Sequence, residues 1–132
     1  MYHQVNNGVY KAGFATTQQA YEEAVIPLFD TLDWLNDRLT ERKFLLGDII
    51  TEADIRLFTT LIRFDPVYHG HFKCNRQRLT EIPYLAAYTR ALFAMPAFRD
   101  TTNFAHIKQH YYGSHRGLNP TGIVPVGPDE PC

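Results

Sequence analysis

The stretch Ile50-Thr51-Glu52-Ala53-Asp54-Ile55-Arg56-Leu57-Phe58-Thr59-Thr60-Leu61-Ile62-Arg63-Phe64-Asp65-Pro66 decides the fold. It carries its own start and stop signals. Thr51 suits the N-cap, and Asp54 then falls at N3. The pair can form a capping box in which the carboxylate reaches back to the cap amide. Ile50 and Ile55, at N′ and N4, have the spacing of a hydrophobic staple. Pro66 predicts an end, because its ring disfavours a helical residue ahead of it. On a helical wheel Ile55, Leu57, Phe58, Leu61, Ile62 and Phe64 cover about half the circumference, with Arg56, Thr59, Thr60 and Arg63 on the rest. So wide an apolar arc demands several neighbours. The stretch reads as the central helix of an all-α domain.

The flanking sequence agrees. Thr16 at an N-cap would place Gln19 at N3, opening a long helix. Its stripe, Tyr21, Val25, Leu28, Leu32, Leu35 and Leu39, stays in register past Pro27, so a kink is expected there rather than an end. Phe44, Leu45 and Leu46 are expected core plugs in the connector, with Gly47-Asp48 as a turn. Pro83 opens another helix, with Leu85, Tyr88, Leu92 and Met95 on one face, and Pro96 ends it. Thr102 or Asn103 can cap a last helix carrying Phe104, Ile107 and Tyr111, with Gly113 as its C-cap. Residues 1–15 read as a segment that must dock on something. Residues 16–115 are the helical core. Residues 116–132, with repeated Gly and Pro, form an extended tail lying along the domain.

The 132 residues suffice for one domain with a core. With 45% hydrophobic and 20% charged residues the chain is globular rather than disordered. A net charge of −1 with scattered basic residues gives no footprint for nucleic acid and no polybasic membrane anchor. No apolar run approaches the roughly 20 residues of a membrane span. The start lacks a secretory apolar region, and two cysteines make no disulfide framework. A reducing, cytoplasmic compartment is the default expectation.

Four sets of residues could carry chemistry. His69-x-His71-x-x-Cys74 offers zinc-type ligands, but a fourth has no obvious source, so exposed loop histidines are the better reading and no metal is expected. His106 and His110 stand at i, i+4 without the glutamate a zincin helix needs. Cys74 has Lys73, Arg76 and Arg78 nearby but no partner cysteine, which makes a weak case for a nucleophile. Tyr10, Tyr68 and Tyr111 lie outside the regular stripes or near segment ends. Converging on a cleft, they would suit an aromatic ligand with oxygen substituents; singly, each would bridge core and surface.

These residues carry a resemblance. Phe44-Leu45-Leu46-Gly47-Asp48 followed by Thr51-Glu52-Ala53-Asp54 resembles the helical C-terminal domain of glutathione transferases. Five further stretches narrow it to the Xi class, the glutathionyl-hydroquinone reductases: 6–15, 51–68, 70–75, 110–115 and 119–125. The resemblance implies an all-α, glutathione-transferase C-terminal-like bundle. It also implies a reaction in which glutathione reduces a glutathionyl-hydroquinone to free hydroquinone and glutathione disulfide. Tyr10, Tyr68 and Tyr111 match the family's quinone-binding tyrosines. Glutathione is a co-substrate there, and no other cofactor is implied. The family's catalytic cysteine belongs to a thioredoxin-like domain with no counterpart in these residues. Cys74 matches a family position but not that role, and Pro27 is unusual for its helix. The expectation is therefore half an active site with little or no turnover alone. The expected partners are a hydroquinone, the missing thioredoxin-like domain and, as a further association, a second copy in a homodimer. The alternative is a standalone module for protein interaction or self-association.

Overall fold

The computed structural model describes residues 1–130 and, among these, contains helices and turns but no named strand. The helices are α1 (Gly8–Gly13), α2 (Gln18–Arg38), α3 (Glu52–Leu61), α4 (Pro83–Phe93), α5 (Pro96–Arg99) and α6 (Phe104–Ser114). The all-α expectation holds.

α3 is held at its start by one carboxylate. Asp54, fully buried, accepts from the Thr51 amide at 2.9 Å, the Leu45 amide at 3.0 Å and the Tyr88 hydroxyl at 2.7 Å. The capping aspartate thus also ties the connector and α4 to the central helix. The Thr51 hydroxyl points to the same carboxylate at 3.4 Å. Ile50 is half-buried and Ile55 is 50% exposed, so Ile55 leaves the buried arc.

Pro66 does not end the helical path. Beyond α3 the chain opens into a wide turn over Phe64–Tyr68, with Tyr68 N donating to Arg63 O at 3.2 Å and His69 N to Phe64 O at 2.9 Å. A proline lacks the amide that would bond four residues back, and its ring crowds that carbonyl. Widening to five-residue spacing lets the chain keep turning around it.

Other boundaries differ in the same local way. Thr17, not Thr16, caps α2, accepting from Ala20 N at 3.1 Å. α2 runs unbroken through Pro27 and buries Val25, Leu28, Leu32 and Leu35, with Ala24 and Phe29 beside them. In the connector Phe44 and Leu45 are buried, but Leu46 is 64% exposed because the tight Phe44–Gly47 turn points it outward. Gly47 at φ 134° takes a conformation that side chains resist. Asn103 caps α6, accepting from His106 N at 3.0 Å, and Gly113 lies inside that helix, one residue before its end at Ser114, with His115 as the C-cap.

Residues 1–15 dock as a turn plus α1, burying Val5, Val9 and Ala12, and α1 packs chiefly on α2. The tail is held by polar bonds more than by apolar burial. The nearly buried Lys108 donates to Val126 O at 2.8 Å and pairs with Asp129, while Val126 itself faces solvent. Cys132 lies outside the described residues.

Candidate functional site

The three tyrosines come from distant parts of the chain. Tyr10 stands on α1, Tyr68 ends the wide turn after α3, and Tyr111 lies on α6. Their hydroxyls meet: Tyr10 Oη to Tyr111 Oη is 2.5 Å, and Tyr68 Oη to Tyr111 Oη is 2.9 Å. Buried Phe72 packs against all three rings and stacks on Tyr68 at 5.3 Å and 12°. The turn around Pro66 aims Tyr68 into this cluster, and the docking of α1 brings Tyr10 over it.

Hydroxyl arithmetic defines what the row offers. Three O–H groups joined by two hydrogen bonds leave one proton to donate outward. Burial makes ionisation costly for Tyr68, whose phenol is pushed well above its usual range. Burial and then the hydrogen bond to Tyr10 push Tyr111 up to about 12. The buried phenols therefore keep their protons as donors. Either oxygen of each bond can donate; the order Tyr68 to Tyr111 to Tyr10 leaves the spare proton on Tyr10, the most exposed of the three at 36%. Donors in a chain polarise one another, which strengthens the last.

The row opens into a cleft of about 310 Å³ lined by Asn6, Tyr10, Thr59, Thr60, Arg63, Tyr68 and Tyr111. Asn6 is pinned by Thr60 Oγ1 at 2.8 Å and Arg56 O at 2.9 Å, so α3 supplies the opposite wall. A larger apolar groove of about 550 Å³ lies on the other side of Thr59 and Arg63, lined in part by Ile55, Phe58, Ile62, Phe98 and Ile107. Its threonine hydroxyls are spent on backbone carbonyls, Thr59 on Arg56 O, Thr101 on Ala97 O and Thr102 on Phe98 O. The phenol cleft is the better site for an oxygenated ring.

Residues 69–74 do not form a metal loop. His71 is buried and its Nε2 meets His115 Nδ1 at 3.1 Å, so the reading of exposed loop histidines fails for it. Cys74 Sγ instead faces the carbonyls of Val9 and Phe72. The motif's side chains diverge, and among the described residues no group of three or more His, Cys, Asp or Glu is arranged to hold a metal. Burial pushes the Cys74 thiol up to about 12, the opposite of what a nucleophile needs. His106 and His110 are exposed on α6. Sequence reasoning missed Arg63, Thr60 and Asn6 as cleft residues. Arg63 and Thr60 sit on the polar arc of α3, and a buried threonine on that arc is the sign that something covers it.

The fold and the site together define the class: an all-α domain with a phenol row opening on a cleft. The chain belongs to the glutathione S-transferase C-terminal domain family, whose model matches residues 18–91. It is 60% identical over 131 residues to the glutathionyl-hydroquinone reductase PcpF of Sphingobium chlorophenolicum, covering 99% of this chain and 42% of that protein. It is 51% identical to the glutathionyl-hydroquinone reductase YqjG of Escherichia coli, covering 99% of this chain and 41% of that one. Among solved structures it matches the Xi glutathione transferase of Phanerochaete chrysosporium with a TM-score of 0.95 and 55% identity, over 98% of this chain and 44% of that one. The chain therefore spans about two-fifths of the curated relatives it matches.

Proposed function

We propose that this chain is the hydroquinone-binding domain of a glutathionyl-hydroquinone reductase of the Xi class. The observation that carries the reading is the Tyr68–Tyr111–Tyr10 hydroxyl row with its one spare proton in the cleft. In the proposed reaction a cysteine thiolate attacks the glutathionyl sulfur of the ring's keto tautomer. The carbon–sulfur bond breaks, its electron pair passes to the ring oxygen as negative charge while the hydroquinone leaves, and the mixed disulfide formed is resolved by a second glutathione. A polarised phenol donor lowers the cost of that charge, and the aromatic walls hold the ring. Glutathione and the attacking cysteine come from a thioredoxin-like domain outside these 132 residues. These residues alone then bind the ring but turn over little or nothing. The cytosol is the fitting compartment, since the reaction consumes reduced glutathione; no helix among the described residues is long and apolar enough to cross a membrane.

The test is an anaerobic titration with menadiol, following the tyrosine ring signals by NMR. Shifts at Tyr10, Tyr68 and Tyr111 are expected. Shifts confined to the groove beside Ile55, or none at all, contradict the reading. Glutathionyl-menadione with glutathione should show no turnover above buffer, and substantial turnover would sink the half-site account.

The exposed apolar groove beside Ile55 favours a second reading, a self-associating module. Sedimentation equilibrium separates the two: a tight dimer without any ring binding supports this one.

A further inference from the structure

Arg63 borders the same cleft as the phenol row, on the α3 side. Its guanidinium donates from one nitrogen to Thr59 O at 2.7 Å, which fixes the side chain along its own helix. It has no carboxylate partner among the described residues. Asp65, the nearest acid in sequence, is turned away to the amides of Leu79 at 2.6 Å and Thr80 at 3.3 Å. Glu52, one helical turn from Arg56, is paired with it. The half-buried Arg63 therefore holds a positive charge beside three phenols, with most of its donors unused within the protein.

We propose that Arg63 is a specificity-determining residue that selects rings presenting an ionised or readily ionised oxygen, so that the cleft favours electron-poor hydroquinones over electron-rich ones of the same shape. This deepens the hydroquinone reading and rests on it. The one spare phenol proton and the guanidinium are complementary to a single anionic oxygen: one charge-assisted O–H donor and one cation at the same cleft. A neutral phenol would gain less from the guanidinium, whose charge an anionic oxygen meets directly. The pull of Arg63 on the site is also felt by Tyr111, whose phenol it lowers against the larger effect of burial. Among the described residues, the only other titratable groups lining the cleft are the three phenols; His106 stands across the adjoining groove that Arg63 also borders.

The test compares 2,6-dichlorohydroquinone with 2,6-dimethylhydroquinone, whose substituents are close in size and opposite in their effect on acidity. Binding to the chain is measured anaerobically by calorimetry at pH 8 and pH 6. The dichloro compound is expected to bind about tenfold tighter at pH 8, the scale of one charge-assisted hydrogen bond. That preference shrinks at pH 6, as the ring becomes protonated. Arg63→Gln removes the preference and its pH dependence, whereas Arg63→Lys keeps part of both. Circular dichroism identifies any variant that has lost its fold, and the pH profile of the unaltered chain then decides alone. Equal affinity for the two rings in the unaltered chain, or a preference surviving in folded Arg63→Gln, overturns the proposal while leaving the hydroquinone reading intact. Failure of both rings to bind overturns both.

Discussion

The Tyr88 hydroxyl donates to Asp54 Oδ1 at 2.7 Å inside the core, joining the middle of α4 to the first turn of α3. The same carboxylate takes the amides of Leu45 and Thr51. One residue thus fixes the start of the central helix, the connector before it and the helix packed against it. Tyr88 is pushed well above the usual phenol range by burial and by this bond, so it remains a donor.

Asp54→Ala should be far more damaging than a lost cap. It removes three hydrogen bonds at once and leaves the Tyr88 hydroxyl and the Leu45 amide unsatisfied. A loss of about 2–4 kcal/mol is expected. Thr51→Ala, whose hydroxyl only approaches the carboxylate, should cost less than about 1 kcal/mol. Urea denaturation of both variants and of Tyr88→Phe, arranged as a double-mutant cycle, reads the coupling. Equal small losses for Asp54→Ala and Thr51→Ala would refute the hub.

That hub marks what was legible in the sequence. Thr51 and Asp54 at cap spacing announced the helix start, and the wheel around Leu57 and Leu61 announced its burial. The second and third partners of Asp54 were not legible, because Tyr88 lies 34 residues away and no periodicity records a tertiary hydrogen bond. The tyrosines were legible as candidates by lying off the stripes, and by the resemblance. Their hydroxyl row was not, since it depends on the docking of α1 and on the wide turn around Pro66. Thr16 and Gly113 were misassigned by one or two positions, where local signals of similar strength compete, and Leu46 reads as buried because no local signal shows which way a tight turn points.

Acid should weaken the packing around Phe72, on which His71 and His115 stack. His71 is held down to about 4 by burial, then by His115 and Lys73, and His115 is lowered by burial and by His110. Both imidazoles are favoured neutral in the fold, so the unfolded chain binds more protons. The stabilisation from His71 is complete above the ordinary histidine value near 6.5 and is lost as pH falls toward about 4; that from His115 is lost in the same direction. His71 contributes at most about 3 kcal/mol to that change. Thermal melts from pH 7 to pH 4 should fall steeply in the chain and more shallowly in His71→Asn. Parallel profiles would contradict the assignment.

Gly13→Ala should disturb the phenol cleft without touching a phenol. A Cβ there would stand 2.3 Å from the Phe72 ring, which packs against Tyr10, Tyr68 and Tyr111. Overpacking of this kind costs about 1–3 kcal/mol. A lowered midpoint in urea with shifted tyrosine NMR signals is expected. An unchanged midpoint would mean that α1 is not seated against Phe72.

Cys74 should be inert in the folded chain. Its buried thiol, pushed up to about 12, offers almost no thiolate at neutral pH. Iodoacetamide at pH 8 followed by peptide mapping should leave Cys74 unmodified until urea is added. Rapid native alkylation would show that α1 opens above it.

The most direct test of the central claim is the anaerobic affinity of the chain for menadiol, compared with that of Tyr111→Phe. Tyr111 joins both ends of the hydroxyl row, so its loss separates Tyr10 from Tyr68 while keeping the aromatic walls. The account predicts measurable binding by the chain and about tenfold weaker binding by the variant at little change in stability. Equal affinity in the two proteins would contradict it.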